Sequence, residues 1–527
     1  MPYHILQGGS TLQRMDTSGT IDSLTLPTGV KLDSTKRPRF AIFNRYVILV
    51  NSPTRPLSID PEGVVRVLCP RPPRTRLDLS GVTAGTLSGT FLVKQSFLVL
   101  DVDGNIIAES ELGPSTTAVT ISSKFLRVAA ADISSDTVSA SRFYRTTTNG
   151  TTYFPWTDID GNTQVTFEDD LSDVGLQLVA APTLGTPPNN LTLIAQYKAR
   201  LWGVSATEID TLRLTDANKM YSWPLAFGLI VGRPGSDARG ITGIVPRREF
   251  LMVGRQDACF QIVGTTLTDF RPVVIKENIG IEAPDSVQVY RDVAYWLAKD
   301  GVYSWGDEGI RCLSDNKVRS WFTTDTYFNR ARFQYAVGRI DQTRNKYQLL
   351  LTNTGDSVEN RWIELDLGDS TWWGPHKTDA FTPTWGSSFI DSNNLTIPVF
   401  GSSNGFIWKD QATRTDDTAT GIALDVDTKY HDMNSPDIEK QMLELSVINK
   451  KQSAGTLTIT PSIVNDNQGV EDAVAQSAIS MSMTTGRNRL RRIGRARLMK
   501  LNLAHSTAAQ DVEIYGYELP YFELGRR

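Results

Sequence analysis

Apolar positions in this chain fall in short runs rather than along a helical stripe. RFAIFNRYVILV (39–50) and KYQLLLTN (346–353) are rich in Val, Ile, Leu, Phe and Tyr, and Gly, Pro, Asn or Asp bound such runs. That pattern predicts strands separated by turns. No long segment carries apolar residues at i, i+3, i+4 and i+7; QGVEDAVAQSAIS (468–480) alone reads as a short helix. Parallel sheets need crossover helices, so the expectation is an antiparallel, all-β chain.

Units of about 40 residues recur with loose self-similarity, a spacing typical of propeller blades. They begin at Phe40, Leu191, Ile241, Ser286, Ala331 and Pro383. Each reads as strand, polar turn, apolar strand, a turn with Gly or Asp, and a third strand. AYWLAKDGVYSWGD (294–307) shows the plan best, with Lys299-Asp300-Gly301 as the hairpin turn. The fold predicted is a β-propeller of about six blades; the competing reading is a series of unrelated hairpins in two stacked sandwiches. Two regions depart from the repeat. Residues 70–182 are bounded by CPRPPRTRLD and APTLGTPPNN and carry short alternating strands, as expected of an inserted fibronectin type III or immunoglobulin-like sandwich. Residues 426–527 read as a further β-sandwich-like region. The propeller then occupies 1–69 and 183–425.

At 527 residues the chain is too long for one ordinary domain. Hydrophobic residues make up 40% and charged residues 21%, a globular balance with no apolar run of membrane-spanning length. No signal peptide is visible in MPYHILQGGS, so synthesis in a cytoplasm is expected. Lys plus Arg is 54 against 58 Asp plus Glu, a net charge of −4. Tight general binding of duplex DNA, which rests on neutralising phosphates, does not fit that balance.

Candidate chemistry is sparse. Cys69, Cys259 and Cys312 are distant and odd in number, and His4, His376, His431 and His505 never fall at metal-ligand spacing. Neither a cofactor nor a metal is expected. Asp101–Asn105 and Asp158–Asn162 resemble calcium loops but lack the flanking helices and the final glutamate, so they read as hairpin turns. Trp202, Trp296, Trp305, Trp321, Trp362, Trp372, Trp373 and Trp408 lie near strand ends; packing between blades is the expected role for most, a sugar platform the competing one. DLGDSTWWGP (366–375) resembles the Asp-box turn of sialidase propellers, but no catalytic set accompanies it in the sequence, and an enzyme is not expected. The one dense charge cluster is Arg487, Arg489, Arg491, Arg492, Arg495 and Arg497. It reads as a contact for an acidic neighbouring subunit or, at the least, as the solvated end of a hairpin.

Four segments together resemble the tail nozzle, or distal tail tube, proteins of short-tailed bacteriophages. They are LPTGVKLDSTKRPRFAIFNRYVILVNSPTRPLSID, SRFYRTTTNGTTYFPWTDI, REFLMVGRQDACFQIVG with NIGIEAPDSVQVYRDVAYWLAKDGVYSW, and RRIGRARLMKLNLAHSTAAQDVEIYGYELPYFELGRR. The resemblance implies a virion structural protein without enzyme activity, six copies forming a ring below the portal's tail adaptor protein. Tail fibres are further implied partners. Double-stranded DNA would pass transiently between subunits, without sequence-specific binding, and the arginine cluster would sit at a subunit or adaptor contact. The alternatives are a carbohydrate-binding or glycan-processing propeller used in host-surface recognition, and a surface adhesin.

Overall fold

The computed structural model describes residues 3–524 apart from 178, 233–239, 316, 378–380, 411–415, 418–419, 422, 466–468, 508–509 and 511. The chain is nearly all β and divides into two compact units, 1–376 with 383–408, and 377–382 with 409–527. Among the described residues no helix is long and apolar enough to cross a membrane.

Among the described residues of the first unit, besides the inserted segment, seven antiparallel sheets follow one another, and all seven line one shared cavity. Blade I spans 3–24, blade II 39–67, blade III 191–230, blade IV 241–277, blade V 288–312, blade VI 337–376 and blade VII 383–409. Blades I and VII have three strands and the other five have four, each sheet ordered as its strands run in sequence. Six of the seven are the units read from the repeat. The additional one, blade I, escapes the repeat reading because TLQRMD buries little more than Leu12 and Met15 and its third strand, Ile21–Leu24, is mostly exposed.

Apolar side chains fill the wedges between most neighbouring blades, and their burial drives closure of the ring. Leu12 packs with Leu49 and Leu57 between blades I and II, and Trp202 with Phe260 and Phe270 between III and IV. Trp296 packs with Met252 between IV and V, and Tyr347 with Leu297 between V and VI. Trp202 and Trp296 are wholly buried, and each indole N–H donates to a backbone carbonyl, of Tyr197 at 3.0 Å and of Gly280 at 2.9 Å. A buried tryptophan needs such a partner. The seam between VI and VII is built around the Phe400 ring, with the Arg339 guanidinium 3.6 Å from its centre and the Trp362 ring 5.4 Å from it. Behind it, within blade VI, Gln348 Nε2 and Lys346 Nζ donate to Glu364 at 2.5 and 2.6 Å. Blade VII meets blade I through Phe389, Val399 and Met15, and the Ile390 N–H donates to His4 Nε2 at 3.3 Å.

The inserted segment forms a sandwich of a four-stranded and a three-stranded sheet. Its fifth strand, Ala140–Thr146, returns to pair with its second, Val93–Leu100, the Greek-key step of immunoglobulin-type folds. The insert is not tethered loosely. Val99, Ile107 and Ala108 join a core cluster with Ile48, Val50, Leu201 and Trp223 of blades II and III. At the same junction Arg55 pairs with Asp136 at 2.6 Å, both nearly buried.

Among its described residues the second unit has a five-stranded and a four-stranded sheet around one apolar core that includes Met442, Leu445, Ile459 and Leu501, and a short ribbon of Asp416–Asp417 with Thr420–Gly421. The helix expected over 468–480 is not formed. A 3-10 turn covers Val470–Asp472, and Val474–Ala475 and Ile479–Ser482 pair with Thr456–Val464; residue 468 lies outside the described residues. A helix of that length is marginal by itself, and pairing Val474–Ala475 and Ile479–Ser482 with a long neighbouring strand engages part of the backbone while burying Met481.

Candidate functional site at the propeller axis

The inner strands of all seven blades enclose an axial cavity of about 540 Å3. Each contributes lining: Ile5 from blade I, Phe40 from II, Ile194 from III, Ile244 from IV, Val289 from V, Gly338 from VI and Trp385 from VII. Gly338 allows close approach here, since a Cβ would stand 2.2 Å from the Ser286 carbonyl oxygen.

One mouth of the cavity is bridged by charge. Pro38 stiffens the segment that leads into blade II, and arginines stand on either side of it. Arg39 Nε donates to Asp285 Oδ1 at 2.9 Å and its Nη1 to the Thr192 carbonyl at 2.8 Å. Arg37 approaches Asp285 Oδ2 at 3.5 Å and Glu359 Oε2 at 3.2 Å, and donates to the Tyr335 carbonyl at 2.5 Å. Arg332 completes the set, donating to Glu359 Oε1 at 3.0 Å. Asp285 stands in the Pro284–Ser286 turn ahead of blade V, and Glu359 begins the third strand of blade VI. The network therefore ties blades II and III to V and VI across the axis. Both oxygens of each carboxylate face guanidinium groups, which suits fastening rather than proton transfer to a substrate. Three guanidiniums meet two carboxylates, leaving one excess positive charge at the mouth. Sequence reading passed over this set: its only local sign is the basic run KRPR (36–39), and its partners lie 246 and 322 residues away.

The arginine cluster lies in the second unit. Arg487–Ala496 is the strand at one side of the smaller sheet and pairs with Lys440–Asn449. Leu445 and Val447 turn into the core, so the intervening positions, opposite Arg487, Arg489 and Arg491 in register, belong to the outer face. There Arg487 pairs with Glu518 and donates to Ser446 Oγ at 2.9 Å, and Arg489 lies 3.8 Å from Glu444. Arg495 donates to Gln441 Oε1 at 3.2 Å, and the Arg497 carbonyl accepts from buried Lys440 at 3.3 Å. The side chains of Arg491 and Arg492 are outside the described residues.

Asp101–Asn105 is a hairpin turn, with Asp101 Oδ1 accepting the N–H groups of Asp103 and Asn105. In the second such segment Asp158 is engaged by Arg142 at 2.7 Å. Among the described residues no cluster of three or more His, Cys, Asp or Glu is placed to hold a metal ion. Burial pushes the Cys69 and Cys259 thiols up to about 12. Most of the tryptophans are buried or half-buried, whereas Trp373 is 55% exposed.

No family model matches the chain, and no curated protein matches it. Among solved structures it is similar to PorZ, a surface component of the type-IX secretion system of Porphyromonas gingivalis, at 9% identity and a TM-score of 0.27, covering 99% of this chain and 80% of that one. It is also similar to a family 43 arabinoxylan arabinofuranohydrolase of Bacillus subtilis, at 9% identity and a TM-score of 0.21, covering 64% and 95%. A chain of a mitotic checkpoint complex gives 10% identity and a TM-score of 0.28, covering 73% and 94%. Likeness at this level transfers no activity or partner.

Proposed function

We propose that the chain is a virion structural protein, one of six copies in a ring-shaped tail nozzle below the portal adaptor of a short-tailed bacteriophage. Closure of the propeller's own hole carries this reading. A cavity of about 540 Å3, bridged at one mouth by Arg37, Arg39, Asp285 and Glu359, leaves no passage for a duplex, whose major groove alone is ~12 Å wide. A conduit built from such a block runs between copies. The insert docked through a shared core supports the same role, because a wall segment must be rigid across its domains. Arg487 and Arg489, on the outer face of the second unit, are the proposed contact with a neighbouring copy or the adaptor.

A carbohydrate-binding propeller is the second reading, favoured by a cavity within the ~300–1,000 Å3 range of small-ligand sites and by Trp385 in its wall. Native mass spectrometry of the purified chain, alone and mixed with the adaptor, separates the two. Six-fold rings, weakened by Arg487→Glu with Arg489→Glu, support the nozzle. A strict monomer that binds a glycan saturably, and loses it on Trp385→Ala, supports the alternative.

A further inference from the structure

We infer that the axial cavity binds a small amphipathic anion, a carboxylate or phosphate head on an apolar body. This goes beyond the nozzle reading and does not rest on it. The two ends of such a ligand match two features of the cavity. Its walls carry Ile5, Phe40, Ile244 and Val289, one from each of four blades, and Phe40 and Val289 remain 39% and 42% exposed within an otherwise closed ring. Apolar surface held open in this way gains from covering, at ~25 cal/mol per Å2. At the mouth stands the excess positive charge of the Arg37, Arg39 and Arg332 set over Asp285 and Glu359.

Arg39 gives the head group a specific donor. Its Nε and Nη1 are committed to Asp285 and to the Thr192 carbonyl, whereas its Nη2 has no partner among the described residues. The Arg39 side chain lines the cavity and is about one-fifth exposed, and the proposed head group takes the uncommitted Nη2 while the two bonds that hold the guanidinium stay in place. A guanidinium fixed by two bonds, with a donor left over, is pre-organised for an anion. A volume of about 540 Å3 accommodates a body of ten or so carbons beside it. A neutral glycan would leave the charge unanswered, and an inorganic anion would leave the apolar wall uncovered.

Isothermal titration of the full chain tests this, with decanoate below its micelle concentration as the probe. Acetate supplies the head alone and octyl glucoside a comparable body with a neutral head. The expected result is saturable binding of one decanoate, with acetate and octyl glucoside at least tenfold weaker. Arg39→Gln should weaken decanoate binding at least tenfold. Ser387→Trp, which fills the cavity from an exposed position outside the ion-pair network, should abolish binding and guards against a misfolded Arg39 variant. Dodecyl phosphate competing with decanoate would show that the site reads the shared head chemistry. Absence of saturable decanoate binding overturns the inference. So does equal affinity for octyl glucoside, or unchanged binding in Ser387→Trp.

Discussion

Removing the Asp285 carboxylate is the sharpest probe of the axial network. Asp285 faces Arg39 at 2.9 Å and Arg37 at 3.5 Å, and the three side chains are 20%, 21% and 29% exposed. Exposed ion pairs are worth ~0–1 kcal/mol and breaking a buried pair costs ~3–5 kcal/mol, so this half-buried set falls between. One well-formed charge-assisted hydrogen bond, to Arg39, and one longer ion pair give an expected loss of about 2 kcal/mol for Asp285→Ala. A double-mutant cycle with Arg39→Ala should return a coupling of about 1–1.5 kcal/mol, the remainder belonging to Arg37. Urea titration followed by tryptophan fluorescence reads the effect, since Trp202 and Trp296 are wholly buried in the same propeller. With two compact units the unfolding need not be two-state, so the comparison is confined to the transition that exposes these indoles. A loss under ~0.5 kcal/mol, or a coupling under ~0.3 kcal/mol, would refute the claim that these residues fasten the ring across its axis.

Trp296→Ala should cost ~3–5 kcal/mol, measured in the same titration, because it empties a fully buried site between blades IV and V and orphans the Gly280 carbonyl. His4 supplies a pH test. Burial holds its imidazole below the ordinary histidine range, and its neutral Nε2 accepts the Ile390 N–H where blade I meets blade VII. The unfolded chain then binds the extra proton first, so this contribution is present above ~pH 6.5 and is lost as pH falls from there toward the lowered folded value. Wild type should lose more stability than His4→Gln between pH 7 and 5, and parallel curves would contradict the assignment. Cysteine labelling separates the thiols: in the native protein Cys312 should react with a maleimide well before Cys69 and Cys259, which are buried and shifted up to about 12. Equal reactivity of all three would mean that blade IV and the junction of blade II with the insert open readily.

The repeated blades were legible because they rest on local signals, alternation and turn composition, that any window of the chain displays. Blade I was not, since a sheet at the closure of the ring buries few of its residues and so shows little alternation. The polar turns of the repeat were legible as turns, but their backbone was not: in Asn44-Arg45, Lys198-Ala199 and Arg291-Asp292 the residues Arg45, Lys198, Ala199 and Arg291 take the left-handed conformation that Gly, Asn and Asp favour. The 468–480 segment misled in the opposite direction: its Ala, Glu and Gln favour helix locally, but a partner strand ten or more residues upstream decides the outcome. The axial network was invisible for a different reason. Arg39 and Asp285 mean nothing as a pair until the ring brings them to one mouth. The arginine cluster is visible in the sequence as a run of charge, whereas Glu444 and Glu518, which pair with Arg489 and Arg487, come from other strands of the sheet and only the fold brings them there.

The nozzle assembly is decided by a cryo-electron-microscopy map of the assembled particle, or of rings of the purified chain. Six copies should surround one axis, with a lumen walled by acidic or neutral surface between copies. Each propeller should be closed by its Arg37, Arg39 and Asp285 network, and Arg487 and Arg489 should meet a neighbouring copy or the adaptor. Density for DNA within a single propeller, or the 487–497 strand lining the lumen, would contradict it.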